Sequence, residues 1–220
     1  MKAAIFRRAH EPLSIESVDI DGPAAREVLV RTVATGVCHS DLHFVDGDMP
    51  AGRRPMVMGH EGSGVVEAVG PEVTGFEPGD HVVACLSGFC GMCAQCLSGH
   101  PNLCTARYVS RPRGSDPRLS QDGDALVQFA ELGSFAEEML VHENSLVRID
   151  PEIPLDVAAL IRRPTGLRIR TRSSRARILC HRVTRRHEPR QEDEGQHHRP
   201  SRRGQDHPAL RIEESASRGG

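Results

Sequence analysis

Up to residue 161 the chain alternates short apolar runs with turn residues, and helical periodicity is rare. Alternation of apolar and polar residues over about four to eight positions indicates β-strands. Pairs such as Gly70-Pro71 and Pro78-Gly79 indicate turns between them. Short strands separated by such turns predict a mainly β fold, built as a partly closed antiparallel barrel. The predicted strands are Lys2–Phe6, Leu13–Ile20, Val28–Val37, Gly62–Val69, His81–Cys85 and Phe135–Val141.

Two segments depart from the strand pattern. Pro154–Ile161 starts like a helix, with Pro154 and Asp156 in its first turn, but the proline at position 164 should stop it. Ser110–Gly123 has proline, glycine, serine and charge without periodicity, so it is predicted to be a surface loop.

The chain changes character after Ile161. Residues 1–161 carry 12 Lys and Arg against 23 Asp and Glu, whereas residues 162–220 carry 16 against 7. The sequence therefore predicts a folded domain over 1–161 and an Arg-rich, disordered tail over 162–220.

The composition of the tail admits two explanations besides a solvated, disordered segment. It is rich in Arg, Pro, Gly, Ser and His and has no Lys, Phe, Tyr, Asn or Met, which is typical of an out-of-frame translation of a GC-rich gene. Its positive charge could instead contact nucleic acid phosphates. We weigh that alternative lower, because the tail has no aromatic residues for base stacking.

The sequence has neither a secretory signal pattern nor a run of about 20 apolar residues, so we expect a cytoplasmic protein with no membrane contact. In that setting closely spaced cysteines indicate a metal site more often than disulfides.

The strongest chemical signal is a group of four cysteines, hereafter the cysteine cluster: Cys90, Cys93, Cys96 and Cys104. Four thiolates can complete a tetrahedral shell around Zn²⁺ and leave no position for water, which is typical of a structural ion. The alternatives are a chance group of thiols or paired disulfides. The regular spacing favours zinc.

A second signal combines His60-Glu61 with the run from Cys38 to His43, which contains a thiol, a hydroxyl, a carboxylate and two imidazoles. A lone histidine is more often a hydrogen-bonded structural residue. A catalytic zinc, however, needs a few protein ligands and one open position, and Cys38 and His60 would suit it.

These motifs together resemble the zinc-containing alcohol dehydrogenases of the medium-chain dehydrogenase/reductase family. Gly59–Gly70 resembles the zinc signature, the cysteine cluster resembles the structural-zinc lobe, and Phe76–Val82 resembles the turn that follows the signature. The resemblance runs from Met1 to about Ile161 and implies a GroES-like catalytic domain. The long loop after the cluster and Gly133–Glu137 are similar to the liver-type and glutathione-dependent branch.

The resemblance implies a role for each residue of the second signal. Cys38 and His60 would be ligands of a catalytic zinc, with Glu61 nearby as a supporting or alternate ligand. Asp41 would accept a hydrogen bond from the zinc-bound imidazole, which fixes its tautomer.

The resemblance also implies a path for the proton and a place for the cofactor. Ser40 would accept the alcohol proton and pass it through the cofactor ribose toward His43, while His39 would lie near the cofactor pyrophosphate. Hydride would then move from a small alcohol to NAD, giving an aldehyde or ketone.

Two parts of the family pattern are missing. The third catalytic zinc ligand should be a cysteine just beyond Ala158–Ile161, where this chain reads Arg162–Gly166, and Cys180 does not resemble that ligand. The chain also has no Gly-x-Gly-x-x-Gly fingerprint, so we expect no dinucleotide-binding Rossmann domain.

We therefore expect a bound structural zinc, an incomplete catalytic zinc site, no NAD binding and no activity of this truncated chain by itself. The alternative is a non-catalytic zinc module that pairs with another subunit. A homo-oligomer is typical of the family, but the sequence does not assign one here.

Overall fold

The computed structural model describes residues 1–52, 55–105, 110–112, 114–160 and 212–214, the last of these by backbone alone. The described chain is mainly β, as predicted. Its strands are β1 (Lys2–Phe6), β2 (Leu13–Ser17), β3 (Asp19–Ile20), β4 (Glu27–Gly36), β5 (Met56–Val57), β6 (Glu61–Val69), β7 (His81–Ala84), β8 (Leu119–Gln121), β9 (Asp124–Ala125), β10 (Val127–Gln128), β11 (Glu138–His142), β12 (Leu146–Arg148) and β13 (Ile212–Glu214).

Short helical segments lie between these strands. The α-helices are α1 (His39–Val45), α2 (Ala94–Leu97) and α3 (Leu155–Ala159). The 3₁₀ turns are Pro101–Leu103, Phe129–Glu131 and Glu143–Ser145.

The described strands form three sheets. Their orders are β10-β5-β1-β2-β13, β11-β4-β6-β7-β12 and β3-β8-β9. The pairs are antiparallel except β10 with β5 and β13 with β2. As far as the described residues show, none of these sheets closes on itself, so the barrel stays open.

The long pair of β4 and β6 determines where the functional residues lie. The register runs from Val28 opposite Val69 to Gly36 opposite Glu61, with one irregularity that skips Glu67 in β6 and one that skips Val33 in β4. The end of β4 and the start of β6 therefore lie side by side. Cys38 follows the first and His60 precedes the second, so both come to the same end of the sheet.

The core lies against the faces of these sheets. Val28, Val30, Val66 and Met139 are buried in one apolar cluster of the second sheet. In the first sheet the buried residues of β1 pack into two further clusters, one of which contains Phe6. Burial of alternate positions in β4 follows the apolar alternation that predicted this strand.

The predicted strands mostly agree with the structure. The bounds of β1 are as predicted. Strand β4 is shifted by one residue at both ends, β6 starts one residue earlier and β7 ends one residue earlier than predicted. Leu13–Ile20 is interrupted at Val18, which separates β2 from β3. The predicted helix start is α3, and β11 begins at Glu138, three positions later than predicted.

Two local predictions were wrong or incomplete. Helix α1 was not predicted, because two turns are too short to show periodicity. The predicted loop Ser110–Gly123 contains β8, and both Arg118 and Leu119 are buried there.

Most of the tail lies outside the described residues, and so do the predictions of disorder, of nucleic acid contact and of a frameshift product. Ile212–Glu214 are described, and they form a strand parallel to β2 with Ile212 opposite Leu13. In the part of the chain that the structure describes, no helix is long and apolar enough to cross a membrane.

Candidate metal centres

The sulfur atoms of the cysteine cluster lie within 4.8 Å of one another. Cys93 Sγ is 3.5 Å from Cys96 Sγ and 3.9 Å from Cys104 Sγ, and Cys90 Sγ is 3.9 Å from Cys96 Sγ. None of these cysteines forms a disulfide. The four sulfurs are therefore gathered around one point, which the disulfide alternative does not explain.

Backbone N–H groups point at these sulfurs. The N–H groups of Met92 and Cys93 donate to Cys90 Sγ at 3.4 and 3.3 Å, and the N–H of Cys90 donates to Cys104 Sγ at 3.4 Å. Gly91, with φ +78°, gives the chain the left-handed turn that brings these donors to Cys90. Such donors stabilise negative charge on sulfur, which is the form that binds a metal.

The pKa values of two neighbouring thiols of the cluster, Cys93 and Cys96, are shifted in opposite directions. Hydrogen bonds from the N–H groups of Cys96 and Thr105 lower the pKa of Cys93 to about 5. Removal from water and the adjacent Cys93 sulfur raise the pKa of Cys96 to about 12. Cys93 ionises readily, and its negative charge opposes the ionisation of Cys96. Four thiolates can therefore be close together only with a cation among them. This donor set fits Zn²⁺.

The second group consists of Cys38, His60 and Glu61, whose ligand atoms also lie within 4.8 Å of one another. Cys38 and His60 are each 6% exposed. Gly36 lets Glu61 approach, because a Cβ at position 36 would come within 2.6 Å of Glu61 Oε2. The same Cβ would be 3.6 Å from the carbonyl oxygen of Ala159, so α3 ends beside this group.

Asp41 joins the two halves of this second group. It is the third residue of α1, and its Oδ2 accepts a hydrogen bond from the Cys38 N–H at 2.9 Å. Its Oδ1 lies 3.4 Å from Nδ1 of His60, at the outer limit of a hydrogen bond. This contact leaves Nε2 of the imidazole as the nitrogen that can bind a metal.

The imidazole of His60 is also enclosed by an aromatic ring. The ring of Phe129 stands edge-on to it, with centroids 5.1 Å apart. Burial lowers the pKa of His60, but the Asp41 carboxylate and the Cys38 sulfur raise it, and the net direction is upward. Sequence reasoning missed Phe129, because no pattern relates a residue in a distant 3₁₀ turn to the zinc signature.

The predicted proton-path residues lie on α1. Ser40 Oγ is 3.3 Å from Cys38 Sγ, so the hydroxyl is at the second group. The rings of His39 and His43 meet edge-on at 4.6 Å, and His43 Nδ1 is 3.2 Å from Asp48 Oδ2. The structure thus brings together Cys38, His60, Glu61, Asp41 and Ser40, and it places His39 and His43 on the same short helix. Residues 162–166, where the third ligand was sought, lie outside the described residues.

The fold and the two donor groups define the class of protein as a metal-binding, GroES-like β domain. Residues 24–151 match the family described as the alcohol dehydrogenase GroES-like domain, and the chain belongs to that family. The resemblance stated from the sequence is therefore confirmed.

Named relatives agree with this assignment. The chain is 42% identical over 164 residues to an NDMA-dependent alcohol dehydrogenase of Amycolatopsis methanolica, an alignment that covers 73% of this chain and 44% of the relative. It is 40% identical over 164 residues to the S-(hydroxymethyl)glutathione dehydrogenase of Saccharomyces cerevisiae, covering 72% of this chain and 42% of that protein.

A solved structure is also similar. It is an alcohol dehydrogenase zinc-binding domain protein from Burkholderia ambifaria, 41% identical, with a TM-score of 0.65, covering 72% of this chain and 44% of that one. The chain thus spans less than half the length of the relatives it matches.

Proposed function

We propose that residues 1–161 are the zinc-binding catalytic part of an alcohol dehydrogenase that uses NAD. The observation that supports this most directly is the Cys38–His60–Glu61 group, which lies beside the Ser40 hydroxyl. The relatives named above are dehydrogenases and supply the reaction class.

The second group suits a catalytic zinc. A thiolate, an imidazole and a carboxylate are all ligands that Zn²⁺ accepts, and three protein ligands leave a fourth position open. When bound there, the ion would supply a Lewis acid for an alcohol oxygen. The cysteine cluster, with four thiols and no open position, would hold a structural ion.

The chain's own residues would bind the substrate and move its proton. The Ser40 hydroxyl, which lies beside Cys38, would accept the proton of the alcohol, and His43 on the same helix would be the group that takes it up. Asp41 keeps the proton of His60 on Nδ1, which orients the imidazole. His39 lies on the exposed side of α1, where it can meet the cofactor pyrophosphate.

The substrate is a small alcohol or aldehyde, by analogy with the relatives. The 220 residues contain no Gly-x-Gly-x-x-Gly fingerprint. We therefore expect the purified chain by itself not to reduce NAD. NADH formation with a panel of small alcohols, followed by absorbance, checks this expectation. Turnover by the chain would show the expectation wrong and would support the dehydrogenase assignment.

Cobalt substitution tests the metal chemistry without requiring turnover. Co²⁺ replaces Zn²⁺ in such sites, and its visible spectrum depends on the ligands. We expect an added alcohol to change the spectrum of the cobalt-loaded chain, because the second group keeps an open position. Cys38→Ser should abolish this response, and Cys96→Ser should preserve it. The proposal would be contradicted if alcohol left the spectrum unchanged, or if alcohol changed the spectra of both variants equally.

A further inference from the structure

A hydrogen bond from the side chain of Asn144 connects the chain at the cysteine cluster to the second sheet. Asn144 lies in the 3₁₀ turn between β11 and β12, and its Nδ2 donates a hydrogen bond of 2.7 Å to the carbonyl oxygen of Phe89. Phe89 directly precedes Cys90. The carboxamide therefore holds the backbone at the point where the chain enters the cluster.

Asn144 is itself held from several directions. Its N–H donates to Nδ1 of His142 at 3.0 Å, and a guanidinium nitrogen of Arg26 lies 3.5 Å from its Oδ1. Arg26 also pairs with the buried Glu143 at 2.6 Å. On the other side, the N–H of Cys85 donates to the carbonyl oxygen of Ser145 at 2.7 Å. The side chain that reaches Phe89 thus projects from a fixed part of the sheet.

Residues 90–104, hereafter the lobe, contain the cysteine cluster. Apolar packing contributes little to holding the lobe in place. Met92, Leu97 and Leu103 are 72%, 75% and 56% exposed. Side chains that remain in water contribute little to stability. The position of the lobe must then depend on the metal and on polar contacts such as that of Asn144.

We infer that Asn144 is a positioning residue for the cysteine cluster, and that its bond to Phe89 slows the loss of the bound ion. For the ion to dissociate, the segment that carries Cys90 and Cys93 has to move away from Cys104. A backbone carbonyl fixed just before Cys90 restricts that movement. This inference rests on the structural zinc proposed above but not on catalysis.

Zinc release from the full chain tests it. The parent is Cys38→Ser, which removes the thiol of the second group, so that the ion observed is that of the cluster. After zinc loading, transfer to the dye 4-(2-pyridylazo)resorcinol is followed well below the melting temperature. Asn144→Ala and Asn144→Asp should release zinc at least about fivefold faster than the parent, since each lacks the donor to Phe89.

Two controls separate positioning from general destabilisation. Asn102→Ala changes an exposed asparagine within the lobe and should release zinc at the parental rate. Val57→Ala opens a cavity in the core of the first sheet, so it should lower the melting temperature without accelerating release. Equal rates for the Asn144 variants and the parent would overturn the inference, and so would equally fast release from Val57→Ala. A parent that retains no zinc would instead overturn the structural zinc site, and this inference with it.

Discussion

Oδ1 of Asp41 lies 3.4 Å from Nδ1 of His60, and the other oxygen of the same carboxylate accepts the backbone N–H of Cys38 at 2.9 Å. Asp41 is fully buried. One carboxylate therefore contacts both the backbone that carries the thiol and the ring that carries the imidazole.

Asp41→Asn should weaken metal binding at the second group by at least about tenfold. If the amide oxygen keeps the bond to Cys38, the amide NH₂ then faces Nδ1 of His60. That contact requires an unprotonated Nδ1, so the ring proton moves to Nε2, the nitrogen that a metal would use. Titration of the chain with zinc against a competing chelator measures the change.

Asp46→Asn serves as the control for this prediction. Asp46 follows α1, and its removal changes the net charge equally without altering the contact to His60. It should leave the zinc affinity of the second group unchanged. The role assigned to Asp41 is wrong if both variants bind zinc like the parent.

Gly59→Ala should destabilise the fold by about 2–3 kcal/mol and displace His60. Gly59 has φ +89°, and a Cβ there would overlap the Phe135 ring and come within 2.6 Å of Ser134 Oγ. Chemical unfolding measures the loss.

Gly79→Ala is the matched control, because Gly79 has φ +97° but no atom within 4 Å of its Cβ position. That variant should lose only about 1 kcal/mol, from backbone strain alone. Equal losses would mean that the overlap at position 59 is relieved by movement.

Glu27→Gln should cost about 2 kcal/mol, because it removes the buried carboxylate that accepts charged hydrogen bonds from both Arg118 and Arg111. Arg118 then keeps only its contact with the more exposed Glu131. The Glu27 carboxylate accepts from Arg118 at 2.7 Å and from Arg111 at 2.7 Å, and the side chains of Glu27 and Arg118 are each 6% exposed. Urea unfolding at neutral pH measures the difference. Glu11→Gln removes the partner of Arg8 in a surface pair, and it should leave the unfolding midpoint almost unchanged. A similar shift in both variants would show that the buried network contributes no more than a surface pair.

The sequence predicted the parts of the fold that depend on local pattern. A short apolar run determined the bounds of β1, both faces of which are buried. Alternation nearly determined those of β4, where buried and exposed positions follow each other. Cysteine spacing predicted the cluster, because all four ligands come from one short segment.

Sequence reasoning did less well where distant segments meet. Arg111 and Arg118 lie in a stretch whose composition indicated a surface loop, yet both pair with Glu27 on β4. The contacts of Phe129 with His60 and of Asn144 with Phe89 likewise join residues that no local pattern relates. Such contacts are determined by the sheet topology, which a single sequence specifies only indirectly.

The stability of the domain should also depend on the protonation of His142, which lies at the end of β11. Burial of the ring is the main cause that lowers its pKa below the ordinary 6.5, and the positive charge of Arg26 acts in the same direction. Glu143 and Glu27 oppose this effect, while Arg118 adds to it. In addition, Nδ1 accepts the Asn144 N–H, which a protonated ring cannot do.

The sign of the pH dependence follows from these contacts. A histidine whose pKa is lower in the folded chain binds fewer protons there than in the unfolded chain. Its contribution is complete above pH 6.5 and is lost as the pH falls from 6.5 toward the lower, folded pKa.

His142→Asn keeps an oxygen that can accept the Asn144 N–H but cannot titrate. Urea unfolding of parent and variant at several pH values between 8 and 5 isolates this contribution, because other titrations cancel in the difference. The advantage of the parent over His142→Asn should shrink as the pH falls. A constant difference for His142→Asn would mean that the ring at position 142 takes up its proton equally in the folded and unfolded chains.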